Sequence, residues 1–214
     1  MAINLIKGQR MQLDAALSQL KVELGWRVNP NANPPYDLDA STFLLNSNGQ
    51  VDCEEDFVFY GSDNKLKMKD GSMRPTSKDQ SVIGSVDDLG DDDDGSGEGN
   101  EEILVDLTKT SKKVTEIIFA VSIYWSREDA KKPSLAPRTR YNFGQVRNAY
   151  IQIVNADNNE TICRYDLDED FSTDKGVEFG RLYRRNGEWK FQAIGEPHKD
   201  GLEPMVHKYA RNFI

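Results

Sequence analysis

Apolar residues in this chain recur at every second position, and that period constrains its fold more than any other feature. In the stretch VTEIIFAVSIYW, Ile117, Phe119, Val121 and Ile123 fall on one face of an extended strand. Ile118 and Ala120 occupy the other face, so the spacing predicts a central strand buried on both sides. Trp189, Phe191 and Ala193 alternate with Glu188, Lys190 and Gln192, the pattern of a half-exposed strand. That strand follows Asn186-Gly187, the strongest short hairpin signal, with GVEFGRLYRR as its partner. Further strands are expected over Leu20–Leu24, Thr42–Leu45, Asp56–Tyr60, Ile103–Leu107, Tyr150–Val154 and Thr161–Leu167. Asn48-Gly49 and Asp157-Asn158-Asn159 supply turns between them. Many short strands separated by turn residues indicate an all-β sandwich or barrel.

Helix is scarce. Only Gly201–Phe213 spaces its apolar residues three and four apart, at Leu202, Met205, Val206 and Tyr209. It reads as a short C-terminal helix packed on one side of the domain. Two stretches resist a strand assignment. One is the polar run from Asp63 to Gly99, which with Glu101 forms a long acidic loop region over residues 63–101. The other is Ser126–Arg140, with five basic and two acidic residues and two prolines, read as an exposed basic insertion.

The length of 214 residues suits one large domain or two small ones, and a chain of this size can bury a core without disulfides. Cys53 and Cys163 lie in alternating apolar stretches and are expected as buried free thiols. The N-terminus has no apolar run of signal-peptide type, and no stretch approaches a membrane span. A cytoplasmic, soluble protein is the expectation. Its pI of about 4.8 argues against nucleic acid as a partner, because phosphate contacts require Lys and Arg.

Charge is concentrated in one place. From Asp87 to Glu102 the chain reads DDLGDDDDGSGEGNEE, nine carboxylates without a Lys or Arg, matching the whole net charge of −9. The interspersed glycines let such a segment fold back so that several carboxylates converge, and converging hard oxygen ligands suit Ca²⁺. Setting Gly95 at the glycine of a helix-flanked calcium loop puts Asp92 and Asp94 at the third and fifth positions. Glu98 then falls at the ninth and Glu101 at the twelfth, while Gly90 occupies the first and offers no side chain. Asp87, Asp88 and Glu102 complete the acidic candidates of this run. Asp37 and Asp39 project to the same side of an extended chain, about 7 Å apart, as two further metal candidates. Asp56, at the head of DFVFY, is another.

Several motifs together resemble the TerD family of tellurium-resistance and stress-response proteins. They are Gly25-Trp26, DLDAS at Asp37–Ser41, DFVFY at Asp56–Tyr60, Asp70-Gly71-Ser72 and the acidic loop ending in Glu101. VDL at Val105–Leu107, FGQVRNAYI at Phe143–Ile151, RYDL at Arg164–Leu167 and LYRRNGEWKF at Leu182–Phe191 follow in order. The resemblance covers nearly the whole chain. It implies one domain over residues 1–214, a two-sheet β-sandwich that binds Ca²⁺ through acidic loops at one end. The acidic loop departs from the family's usual form: it lacks the GDN and TG signatures, has four consecutive aspartates and carries Asn100 where an acid is usual.

The expected function is that of a non-catalytic, Ca²⁺-binding stress-response module of the tellurite-resistance type. It would act through protein partners in a stress-response complex, which the resemblance places near a membrane. Nothing in the sequence pairs a nucleophile with a base, and His198 and His207 are expected at exposed or helix-end positions. A metal-dependent hydrolase of a small phosphorylated substrate is one alternative, since clustered carboxylates can hold Mg²⁺ or Mn²⁺. A module binding a cyclic nucleotide or another small ligand is a second. Neither is accompanied by a phosphate-binding motif.

Overall fold

The computed structural model describes residues 2–27, 38–85, 98–124, 131–134, 140–167 and 171–213. Fourteen strands account for about half of these residues. In chain order they are β1 (Ile3–Leu5), β2 (Arg10–Gln12), β3 (Gln19–Arg27), β4 (Leu38–Leu45), β5 (Phe57–Val58), β6 (Lys65–Lys67) and β7 (Met73–Pro75). They continue with β8 (Val82–Ile83), β9 (Glu98–Asp106), β10 (Glu116–Ile123), β11 (Arg147–Asn155), β12 (Thr161–Asp166), β13 (Gly176–Arg185) and β14 (Glu188–His198). One sheet has the order β1-β12-β11-β3-β9-β8, a second has β2-β14-β13-β10-β4-β5, and β6-β7 form a small hairpin apart. The expected all-β, two-sheet architecture is present.

The two-faced strand is β10. Ile117, Phe119, Val121 and Ile123 enter the main core between the sheets. Ile118 and Ala120 enter a second, smaller cluster on the outer face of the second sheet. That outer cluster is roofed by the helix α1 (Glu203–Tyr209), whose Met205 and Tyr209 are buried against Phe43, Leu45 and Ile118. Met205 and Tyr209 are four apart, so they share the buried face of the helix.

The β13–β14 hairpin turns at Asn186 and Gly187, both at positive φ (56° and 82°), as the tight hairpin turn requires. Pairing of β13 with both neighbours shifts around Phe179. One extra residue there moves the inward set from Val177 and Phe179 to Leu182, so strict alternation across GVEFGRLYRR is broken by a bulge.

The structure corrects several expectations. The polar run from Asp63 onward is not free of strands: it holds β6, β7 and β8, and β9 starts within it at Glu98. Asp79 organises part of it, accepting from Ser77 Oγ (2.8 Å), the Ser81 amide (2.9 Å) and the Ser111 amide (2.7 Å). Asp56–Tyr60 is only partly a strand, because Glu54–Asp56 forms a turn of 3-10 helix. Ser62 then closes the strand, its Oγ donating to the Phe57 carbonyl and accepting from the Phe59 amide. Cys163 is a buried free thiol, whereas Cys53 is half-buried at the start of that 3-10 turn. Burial pushes the Cys163 thiol up to about 12. Most of Ser126–Arg140 lies outside the described residues.

Candidate functional site

Three of the acids singled out by sequence are buried, Asp39, Asp56 and Glu101, and of these Asp39 and Glu101 border one pocket. Asp39 is 5% exposed and Glu101 4%. Glu101 shares its side of β9 with Ile103 and Val105, which belong to the core between the sheets. Asp39 comes from β4 of the other sheet, paired with Ser122 of β10, on the side that also carries Phe43. Both border one small pocket at the edge of the sandwich, with Tyr60 and Phe59 following β5 and Gly84 and Ser85 following β8.

Local ties hold the Glu101 side of this pocket. Ser85 Oγ accepts from the Glu102 amide (2.8 Å) and donates to the Glu102 carbonyl (3.2 Å). Arg74 Nε donates to the Gly84 carbonyl (2.6 Å), and its Nη2 to the Glu102 carbonyl (2.5 Å). On the opposite side, Phe57 and Phe59 stack with ring centroids 4.4 Å apart, and Tyr60 meets Tyr124 edge-on at 5.5 Å. Carboxylates this buried persist only with hydrogen bonds, a paired cation or a metal ion. Among the described residues, the side chains bordering the pocket offer oxygen donors and neither His nor Cys. Such a donor set fits Ca²⁺ or Mg²⁺ and does not fit Zn²⁺ or copper.

The other sequence candidates are distributed differently. Glu102 points to the opposite face of β9 from Glu101, and lies 3.5 Å from Arg74 Nη1 and 3.9 Å from Lys21 Nζ. It therefore belongs to a cation-neutralised surface cluster. Asp56 sits next to the Phe57–Phe43 pair, several residues along β4 from Asp39, or roughly 16 Å at strand rise. Burial raises its pKa, and the charges of Asp79, Asp52 and Glu55 add to the rise. Asp37, Asp87, Asp88, Asp92 and Asp94 lie outside the described residues. Glu98 opens β9 and pairs in register with Arg27.

A second constellation was not anticipated from sequence. Glu178 is 1% exposed, on the outer face of β13 beneath α1. It lies 2.8 Å from His198 Nε2 and accepts from Lys208 Nζ (2.9 Å) and Tyr209 Oη (2.7 Å). Burial alone would raise the Glu178 pKa, but these donors outweigh it and hold the carboxyl below its ordinary value. Glu178, Glu196 and His198 approach closely enough to ligate a cation, yet the Lys208 ammonium already stands between the two glutamates, 2.9 and 3.3 Å away. This is a satisfied ionic latch for the helix. His198 is thus part of a buried network, against the expectation of an exposed role. Its partner is invisible in sequence, because alternation puts Glu178 on an outward face that only α1 covers. His207 is exposed on that helix, as expected.

Comparison with known proteins follows the same lines. Residues 1–209 match the family model described as the TerD domain. The chain is 39% identical over 216 residues to tellurium resistance protein TerD of Serratia marcescens, covering 99% of each. It is 39% identical over 214 residues to general stress protein 16U of Bacillus subtilis, covering 98% of this chain and 97% of the relative. A solved homologue of telluride resistance protein TerD from Streptomyces coelicolor matches with a TM-score of 0.61 and 14% identity, over 92% of this chain and 98% of that one. At that identity the likeness concerns the fold.

Proposed function

The chain belongs to the TerD family of tellurium-resistance and general stress proteins, and from that premise we propose that it is a calcium-binding module that acts through partners rather than catalysis. The observation that carries the reading is the pair Asp39 and Glu101, buried in different sheets yet bordering one pocket. The acidic run from Asp87 leads in sequence directly into Glu101. A bound Ca²⁺ would take oxygen ligands from strands of both sheets and tie them together at that edge. Asp39 and Glu101 would supply two of its oxygen ligands. The chemistry at the pocket is positional: the oxygen donors have no nucleophile–base pair beside them among the described residues.

Thermal melting in calcium and in EDTA tests this. A ligand that binds only the folded state at a hundredfold excess over its Kd adds about 2.7 kcal/mol of stability. Calcium is therefore expected to raise Tm by several degrees, and Asp39→Asn and Glu101→Gln to remove most of that rise. A melting temperature indifferent to both millimolar calcium and EDTA would sink the reading.

A further inference from the structure

We infer that the groove between β5 and the C-terminal helix is a docking site for a basic amphipathic helix of a partner protein. The groove encloses about 570 Å³. Its apolar wall is formed by Phe57 and Phe59 on one side and by Val206, Ala210 and Phe213 on the other. Phe213 is 40% exposed, an aromatic ring left in water at the mouth of an apolar channel. The rim is acidic: Glu54, Glu55 and Asp63 line it, and among the described residues no Lys, Arg or His does.

The charge of the rim decides the occupant. A lipid surface or a nucleic acid is anionic and would be repelled. A second copy of this chain would bring the same acidic rim against itself, with like charges opposed. A partner with a basic polar face and an apolar stripe satisfies both the wall and the rim. The backbone decides the mode of binding. Although β5 is the outermost strand of its sheet, Ser62 Oγ already bonds the Phe57 carbonyl and the Phe59 amide. Strand addition at that edge is blocked, so the groove works as a receptacle for side chains, as in helix-in-groove recognition.

Phe59 borders both this groove and the pocket of Asp39 and Glu101. Occupation of the groove and of the acid pocket therefore bear on the same ring. The inference names the partner class of the binding-module reading and rests on it in that respect.

The test uses a fluorescein-labelled designed helix of about five turns, with Leu on one face and Lys on the other, titrated with the full chain and read by anisotropy. A matched helix with Glu replacing Lys is the control. Micromolar binding is expected for the Lys helix, and at least about tenfold weaker binding for the Glu helix. Phe213→Asp and, separately, Val206→Asp should each weaken the Lys helix about tenfold, with melting curves confirming that the variants are folded. The double charge reversal Glu54→Lys with Glu55→Lys should do the same. The inference fails if the Lys helix does not bind. It also fails if the Glu helix binds equally, or if Phe213→Asp leaves binding unchanged, since the peptide would then be held by the acidic run. Each titration is repeated in EDTA, so that failure of peptide docking is distinguishable from failure of calcium binding.

Discussion

A Cβ added at Gly25 would stand 2.3 Å from two ring carbons of Tyr150. The ring has little room to retreat. The Arg164 guanidinium lies over it at 3.5 Å, and Asp166 holds that guanidinium through two hydrogen bonds of 2.9 and 2.7 Å. Gly25→Ala should therefore cost about 1–3 kcal/mol in urea denaturation, an overpacking penalty on a β3–β11 pair. In a Tyr150→Ala background the same substitution should cost much less, because the crowded ring is gone. A double-mutant cycle measures the coupling. The Gly-Trp dipeptide is visible in the sequence, but its reason is not. Tyr150 meets Gly25 only through strand pairing between distant segments.

The helix α1 is seven residues long, too short to hold itself in water, so it depends on what it touches. Met205 and Tyr209 supply apolar burial, and Glu178 supplies the polar anchor beneath them. Glu178→Gln should cost roughly 2–4 kcal/mol at neutral pH, since it leaves the buried side of the Lys208–His198 network short of its carboxylate. The sign of the pH dependence follows from a carboxyl held below its ordinary value in the folded state. Its contribution is complete above the ordinary glutamate range and is lost as pH falls through the lowered folded value. The stability gap between the parent and Glu178→Gln should thus shrink in acid, and urea titrations at pH 7 and near pH 3 check it. The apolar spacing of Leu202, Met205, Val206 and Tyr209 announces this helix in the sequence. Its anchor does not announce itself, because a glutamate on the outward face of a strand looks like any solvated acid. The strands missed in the polar run, β6 to β8, are only two or three residues each and carry too few alternations to register a period.

An excess of nine negative charges, matched by nine carboxylates in one run, leaves the molecule self-repelling at low salt. Raising ionic strength from about 0.01 to 0.15 M shortens the Debye length from about 30 to 8 Å, so NaCl alone should raise Tm modestly. CaCl₂ at matched ionic strength should raise it further, because a site adds binding free energy that screening does not. Equal shifts from the two salts would leave only diffuse screening. Period-two alternation is a local property, written into neighbouring residues. It dictates where β10, β13 and β14 run, which face of β10 meets each cluster, and where Asn186-Gly187 reverses the chain. Which acids are buried together is not local. Asp39 and Glu101 border one pocket because strands from two different sheets come together at one edge of the sandwich, whereas Glu102, one residue on, turns to the opposite face and finds Arg74 and Lys21. Sequence alone cannot separate such neighbours. Carboxylates are chemically alike along the chain and become unlike only when packing decides which are dehydrated, which are paired, and which stay in water.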